Sequence, residues 1–144
     1  PLSKQAVQKM VDTFESRRNL IWNQISKIPG ISCQKPGGAF YLFPNISAVC
    51  ENLDLINKHE RLSPEEKSSP ANLFQMFSLY EHKVAVLDRN SFGQIGAEGK
   101  HFLRLSIAAE QSVLEEGVRR IKAATEDVSG LDNFLEKRPD LNLF

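Results

Sequence analysis

Apolar residues at Val7, Met10, Val11, Phe14, Ile21, Ile25 and Ile28 recur at intervals of three and four, which lays one stripe along a helix from Ser3 to Ile28. Ser3 supplies a hydroxyl to cap its start, and Pro29-Gly30 stops it. The pattern then changes. Gly37-Gly38 precede Ala39-Phe40-Tyr41-Leu42-Phe43, an aromatic run with apolar residues on both faces, which predicts a strand covered on both sides and ended by Pro44. From Asn45 to Pro70 the chain is polar and carries little periodicity; Ser63-Pro64-Glu65-Glu66 has the composition of a helix start.

Leu73, Phe77 and Tyr80 share one side of a short helix over 72–82. Two apolar runs, KVAVL over 83–87 and FLRLSIA over 102–108, predict short buried strands, joined by a loop punctuated by Gly93, Gly96 and Gly99. Ser112 and Glu115 have capping-box spacing at the head of a helix whose stripe is Leu114, Val118 and Ile121. Leu131, Phe134 and Leu135 suggest one further short helix, ended by Pro139. The order helix, strand, helix, strand, strand, helix implies a small α/β (α+β) layer structure, a sheet of a few strands packed with helices. The expected division is a domain over 1–125, with a polar insertion around 47–70, followed by a tail over 126–144.

The chain has 144 residues, 18 basic and 18 acidic, so its formal charge is zero. That balance, with Arg17-Arg18 and Arg119-Arg120 as isolated pairs, gives no basic surface for nucleic acid or membrane. No apolar stretch reaches the ~20 residues needed to span a bilayer. The first residue is Pro1 rather than Met, which suggests an internal piece of a longer product. Cys33 and Cys50 flank an apparent strand of about nine residues that holds them beyond disulfide reach, so two free thiols in a reducing cytoplasm are expected.

His59, His82 and His101 lack metal-ligand spacing and an evident carboxylate partner, so no metal site is expected. The glycine loop has no helix directly after it, which favours a plain connection over a phosphate cradle. Arg104 stands apart. It lies within an apolar strand, on one face with Phe102 and Ser106, where a cation costs free energy unless it is paired. The residues alone leave three options: an internal acid, solvent at a sheet edge, or a bound carboxylate held by two parallel N–H···O bonds.

Four strings follow in order: KPGGAFYLFPNI from Lys35, VAVLDRNSFG from Val84, EGKHFLRLSIA from Glu98 and LEEGVRRI from Leu114. Together with the opening helix before IPGI, they resemble the carboxy-terminal small domain of class I (fold-type I), aspartate aminotransferase-like, pyridoxal-phosphate-dependent aminotransferases. The resemblance covers about 7–124. It implies a homodimeric enzyme that passes an amino group between an amino acid and a 2-oxo acid, using pyridoxal phosphate held as a Schiff base by a lysine. The family's R-x-S-x-A arginine, which holds the substrate α-carboxylate, falls on Arg104. Phe40 matches an aromatic on the substrate side of the cleft, with a place in the core as its alternative.

The lysine segment, the aspartate partner of the pyridine nitrogen and the phosphate-holding groups belong to the family's large domain. Ser3-Lys4 is only a superficial match, with no Gly-x-Arg pattern downstream, so no cofactor is expected on this piece and it is expected to be inactive alone. Two departures stand out. Asp88-Arg89 replaces the usual Pro-Gly after the VAV strand, leaving Arg89 either as a solvent-facing turn residue or as one that reaches the cleft. The polar stretch over 47–70 is long for the family and reads as a surface insertion, with a flap or subunit contact as its alternative. A freestanding, non-enzymatic module that binds an acidic metabolite or a protein is the rival reading.

Overall fold

The computed structural model describes residues 3–62, 68–93, 95–139 and 141. Helix α1 runs Lys4–Ile25, and the Ser3 side chain caps it by accepting from the Ala6 N–H at 3.2 Å. The stripe is buried only toward the end, at Ile21 and Ile25. Val7, Met10 and Val11 stay open, at 40–49% exposure. After the helix the chain turns through Pro29 and Gly30, whose φ of +83° needs a residue without Cβ strain; a Cβ there would also meet Val49 Cγ2 at 3.2 Å. The Trp22 indole N–H donates to the Cys33 carbonyl at 2.8 Å and ties the returning loop to α1.

The sheet has three short strands: β1 (Tyr41–Leu42), β2 (Leu87–Asp88) and β3 (Leu103–Ser106). Their order is β1-β3-β2, and both pairings are antiparallel. All three strands are shorter than the apolar runs predict. Val84 and Val86 are buried and Ala85 exposed, so the alternation of a strand persists outside the ladder. Only one face is covered, in contrast to the expectation for the aromatic run. Leu42, Leu103 and Leu105 point into the core, whereas Tyr41, Arg104, Ser106 and Leu87 share the other face.

Further helices and a 3-10 turn complete the alternation. Helix α2 (Ser47–Asn52) and α3 (Leu55–Leu62) occupy most of the polar stretch, with Val49, Cys50, Leu53 and Leu55 buried. Through those four side chains residues 47–62 pack into the core; the Ser63-Pro64-Glu65-Glu66 motif lies outside the described residues. Helix α4 (Pro70–His82) is the central element: every residue from Ala71 to Ser78 is buried, and α2, α3, α5, α6 and β2 all pack on it. A 3-10 turn spans Arg89–Phe92.

Helix α5 (Gln111–Glu126) begins one residue before Ser112, with Glu110 at the cap position and no side-chain capping bond. The capping box read from Ser112 and Glu115 is therefore not formed, because Ser112 already lies inside the first turn. Helix α6 (Val128–Glu136) is capped by Asp127, which accepts from the Gly130 N–H at 2.9 Å. Its Leu131 and Phe134 join the same apolar core as α4, with the Phe134 ring 5.7 Å from that of Phe77. This α+β architecture, a small antiparallel sheet with helices packed against it, matches the predicted class.

Candidate functional site

Pairing of β3 with both neighbours places Arg104 at the centre of the open sheet face. Leu87 lies across from it on β2, and Tyr41 stands opposite Ser106 on β1. Alternation along β3 buries Leu103 and Leu105 and leaves Arg104 half-buried. The guanidinium carbon lies 4.4 Å from the Tyr41 ring centre and 3.9 Å from that of Phe92. Both distances suit attraction between a cation and the negative face of an aromatic ring. Among the described residues, no carboxylate pairs with Arg104 and no acceptor takes a hydrogen bond from it. The internal-acid option is thus not the one realised among those residues. Ring faces offer no hydrogen-bond acceptor of carboxylate strength, so the guanidinium keeps its donors for a ligand or water.

Phe40 is 41% exposed and lies outside the core. It stacks between Phe14 of α1, at 6.1 Å, and Tyr41, at 4.5 Å. The result is a continuous row on one surface: Phe14, Phe40, Tyr41, Arg104 and Phe92. Tyr41 and Phe92, which touch Arg104 directly, were not singled out by sequence reasoning. Period-two alternation from the buried Leu42 would have put Tyr41 on the open face. Nothing local marks Phe92.

Phe92 is positioned by the turn that departs from Pro-Gly. Asp88, 3% exposed, accepts from the Asn90 N–H at 2.9 Å and so caps the 3-10 turn. The Ser69 hydroxyl donates to the same carboxylate, and the Asp88 N–H donates to Gln75 Oε1 at 2.6 Å. The Arg89 guanidinium donates to the carbonyls of Gly93, at 2.7 Å, and Ile95, at 2.8 Å. The glycine-punctuated segment is a connecting loop clamped on Arg89. Its Glu98 carboxyl accepts from the Gly96 N–H at 3.0 Å, and backbone hydrogen bonds from Glu98 itself and Gly96 hold it below its usual pKa.

The histidines are scattered. His59 contacts Ser68 at 2.7 Å, and His101 is half-buried beside α2. His82 does have a carboxylate partner, Asp127 at 3.0 Å, which no spacing along the chain revealed because 45 residues separate them. No group of three or more metal-ligating side chains comes together among the described residues. Cys33 and Cys50 are both free thiols. No described helix is long and apolar enough to cross a membrane.

Arg104 thus sits on the central strand of a small antiparallel sheet whose β2 packs on α4. No family model matches the chain. It is 41% identical over 128 residues to a probable aspartate/prephenate aminotransferase of Aquifex aeolicus, covering 89% of this chain and 27% of that protein. It is 34% identical to an aspartate aminotransferase of Bacillus subtilis, over 85% of this chain and 26% of the relative. Among solved structures, an aromatic aminotransferase from Pyrococcus horikoshii superposes with a TM-score of 0.63 at 27% identity, over 88% of this chain and 28% of that one. An aspartate aminotransferase from Rhizobium meliloti gives 0.62 at 26% identity, over 88% and 28%. The chain belongs to the fold-type I, aspartate aminotransferase-like family of pyridoxal-phosphate-dependent aminotransferases, and its fold is that of their small domain. It spans about a quarter of the length of the curated relatives it matches.

Proposed function

We propose that this chain is the substrate-carboxylate part of an aminotransferase that moves an amino group between an amino acid and a 2-oxo acid. The observation that carries this reading is the Arg104 guanidinium, half-buried, flanked by two rings and without an ionic partner among the described residues. A carboxylate fits it because two oxygens can accept two parallel N–H donors, and the aromatic surroundings strengthen the interaction by lowering local water access. Phe40 would form an outer wall of the same face.

When bound, pyridoxal phosphate supplies the electron sink that amino transfer needs. Among the described residues, the side chains stacked on Arg104 are Tyr41 and Phe92, and Lys4 sits exposed in the first turn of α1. In this reading the cofactor belongs to a large domain elsewhere in a longer, homodimeric, cytoplasmic protein, and this piece alone is inactive. The role of Arg104 is to bind and orient the substrate, and closure of the face over it excludes water.

The test is Arg104→Ala in the full-length gene product. KM for the amino donor should rise roughly 10- to 100-fold, the range for losing a charged hydrogen-bond pair, while pyridoxal phosphate absorbance is retained. Loss of the cofactor with substrate affinity intact would sink the assignment.

A further inference from the structure

The Arg104 guanidinium is flanked by Tyr41 from β1 and Phe92 from the turn after β2. Tyr41 is fixed by strand pairing. Phe92 is 55% exposed and has no burial to hold it. Its place depends on the turn that carries it, and that turn is built by two side chains: Asp88 caps its start, and Arg89 bridges the carbonyls of Gly93 and Ile95 beyond its end. Asp88 is itself anchored to α4 through Ser69 and Gln75. A rigid helix thus sets the carboxylate, the carboxylate sets the turn, and the turn sets the ring.

We propose that Phe92 determines which anions Arg104 accepts, and that Asp88 and Arg89 are the positioning residues that hold Phe92 there. This rests on the reading of Arg104 as the carboxylate holder. With rings on two sides, the guanidinium is approachable chiefly along the rim where its N–H groups lie. A carboxylate is flat and can put both oxygens in that plane. A sulfonate has a third oxygen out of the plane, which must press against a ring face whose quadrupole is negative. The face therefore selects planar monoanions over tetrahedral ones of equal charge.

Propionate and ethanesulfonate, each with one negative charge, serve as probes, measured as competitive inhibitors of the full-length holoenzyme at fixed ionic strength. The wild type should bind propionate roughly tenfold tighter than ethanesulfonate, and Phe92→Ala and Arg89→Ala should each narrow that ratio to about threefold or less. KM for the amino donor should rise by a larger factor than kcat falls in both variants. Arg89→Lys should restore part of the ratio, since an ammonium can serve one of the two carbonyls. A wild type without preference, or an unchanged ratio in both alanine variants while Arg104→Ala binds neither anion, overturns the proposal and leaves the carboxylate reading intact. If Arg104→Ala binds both anions as the wild type does, the underlying reading fails instead.

Discussion

The Ser69 hydroxyl donates to Asp88 Oδ2 at 2.5 Å while accepting from the Asn72 N–H at 3.1 Å. One oxygen therefore caps α4 and ties its start to the end of β2. Both residues are buried, so each hydrogen bond replaces one that water would otherwise have made. Asp88→Ala leaves the Ser69 hydroxyl and the Asn90 N–H without their acceptor, and should lower stability by about 2–4 kcal/mol. Ser69→Ala removes the cap and should cost about 1–2 kcal/mol. Urea unfolding of the two variants and the double mutant checks this: the double mutant should fall short of the sum, because the residues share a bond.

Stability should also depend on pH near neutrality. Burial is the main cause that lowers the pKa of both His59 and His101; Asp88 opposes it at both, Glu60 at His59 and Glu51 at His101. Below the unfolded-state value of about 6.5 the unfolded chain binds more protons than the folded one, so stability is full above that pH. It is lost as pH falls through that value toward the lowered folded-state pKa. The urea midpoint should drop between pH 7.5 and pH 5.5, and the drop should shrink in a His59→Gln, His101→Gln double variant. The depressed carboxyls of Glu98 and Glu116 act in a separate window, below about 4.5.

Cysteine reactivity supplies an independent check on the packing of α2. Burial, then the charges of Asp88 and Glu51, push the Cys50 thiol up to about 12. Burial also raises Cys33, which is only half-buried. Iodoacetamide at pH 8 should modify Cys33 slowly and leave Cys50 untouched until urea unfolds the chain, since the thiolate is the reactive form. Rapid native labelling of Cys50, read by mass spectrometry, would contradict the placement of α2.

Phe134 tests whether α6 shares one core with the rest. Its ring is 1% exposed and lies against Phe77, while the Arg138 guanidinium sits 4.6 Å from its centre. Phe134→Ala should cost about 3–5 kcal/mol, and the whole chain should lose that stability in a single transition. A separate early transition confined to the tail would show that α6 docks on its own.

Local chemistry made several elements legible in the sequence. The cap at Ser3, the α5 stripe and the Leu131–Phe134 spacing all concern residues within four of each other. Helices α2 and α3 were not legible, because short polar segments become helical through burial of a few residues, Val49, Cys50, Leu53 and Leu55, against distant partners. The cap of α5 was misplaced by two residues, since Ser112 fits the motif but Glu110 holds the position. At the candidate site, Arg104 is conspicuous as a cation among apolar neighbours. Its contacts with Tyr41 and Phe92 depend on strand pairing and on the Arg89 clamp, which no local pattern encodes.

Helix α1 is unevenly held. Its last turn and a half is locked by Ile21, Ile25 and the Trp22 bond to the returning loop, whereas residues 3–13 are exposed throughout. An isolated helical stretch of that length is marginal in water. Amide protons should therefore exchange fast from the amino-terminal end and slow sharply near Leu20, so that one continuous helix behaves as two cooperative units. Whatever covers Val7, Met10 and Val11 would fuse those units, and a rise in protection along the first three turns would register its arrival.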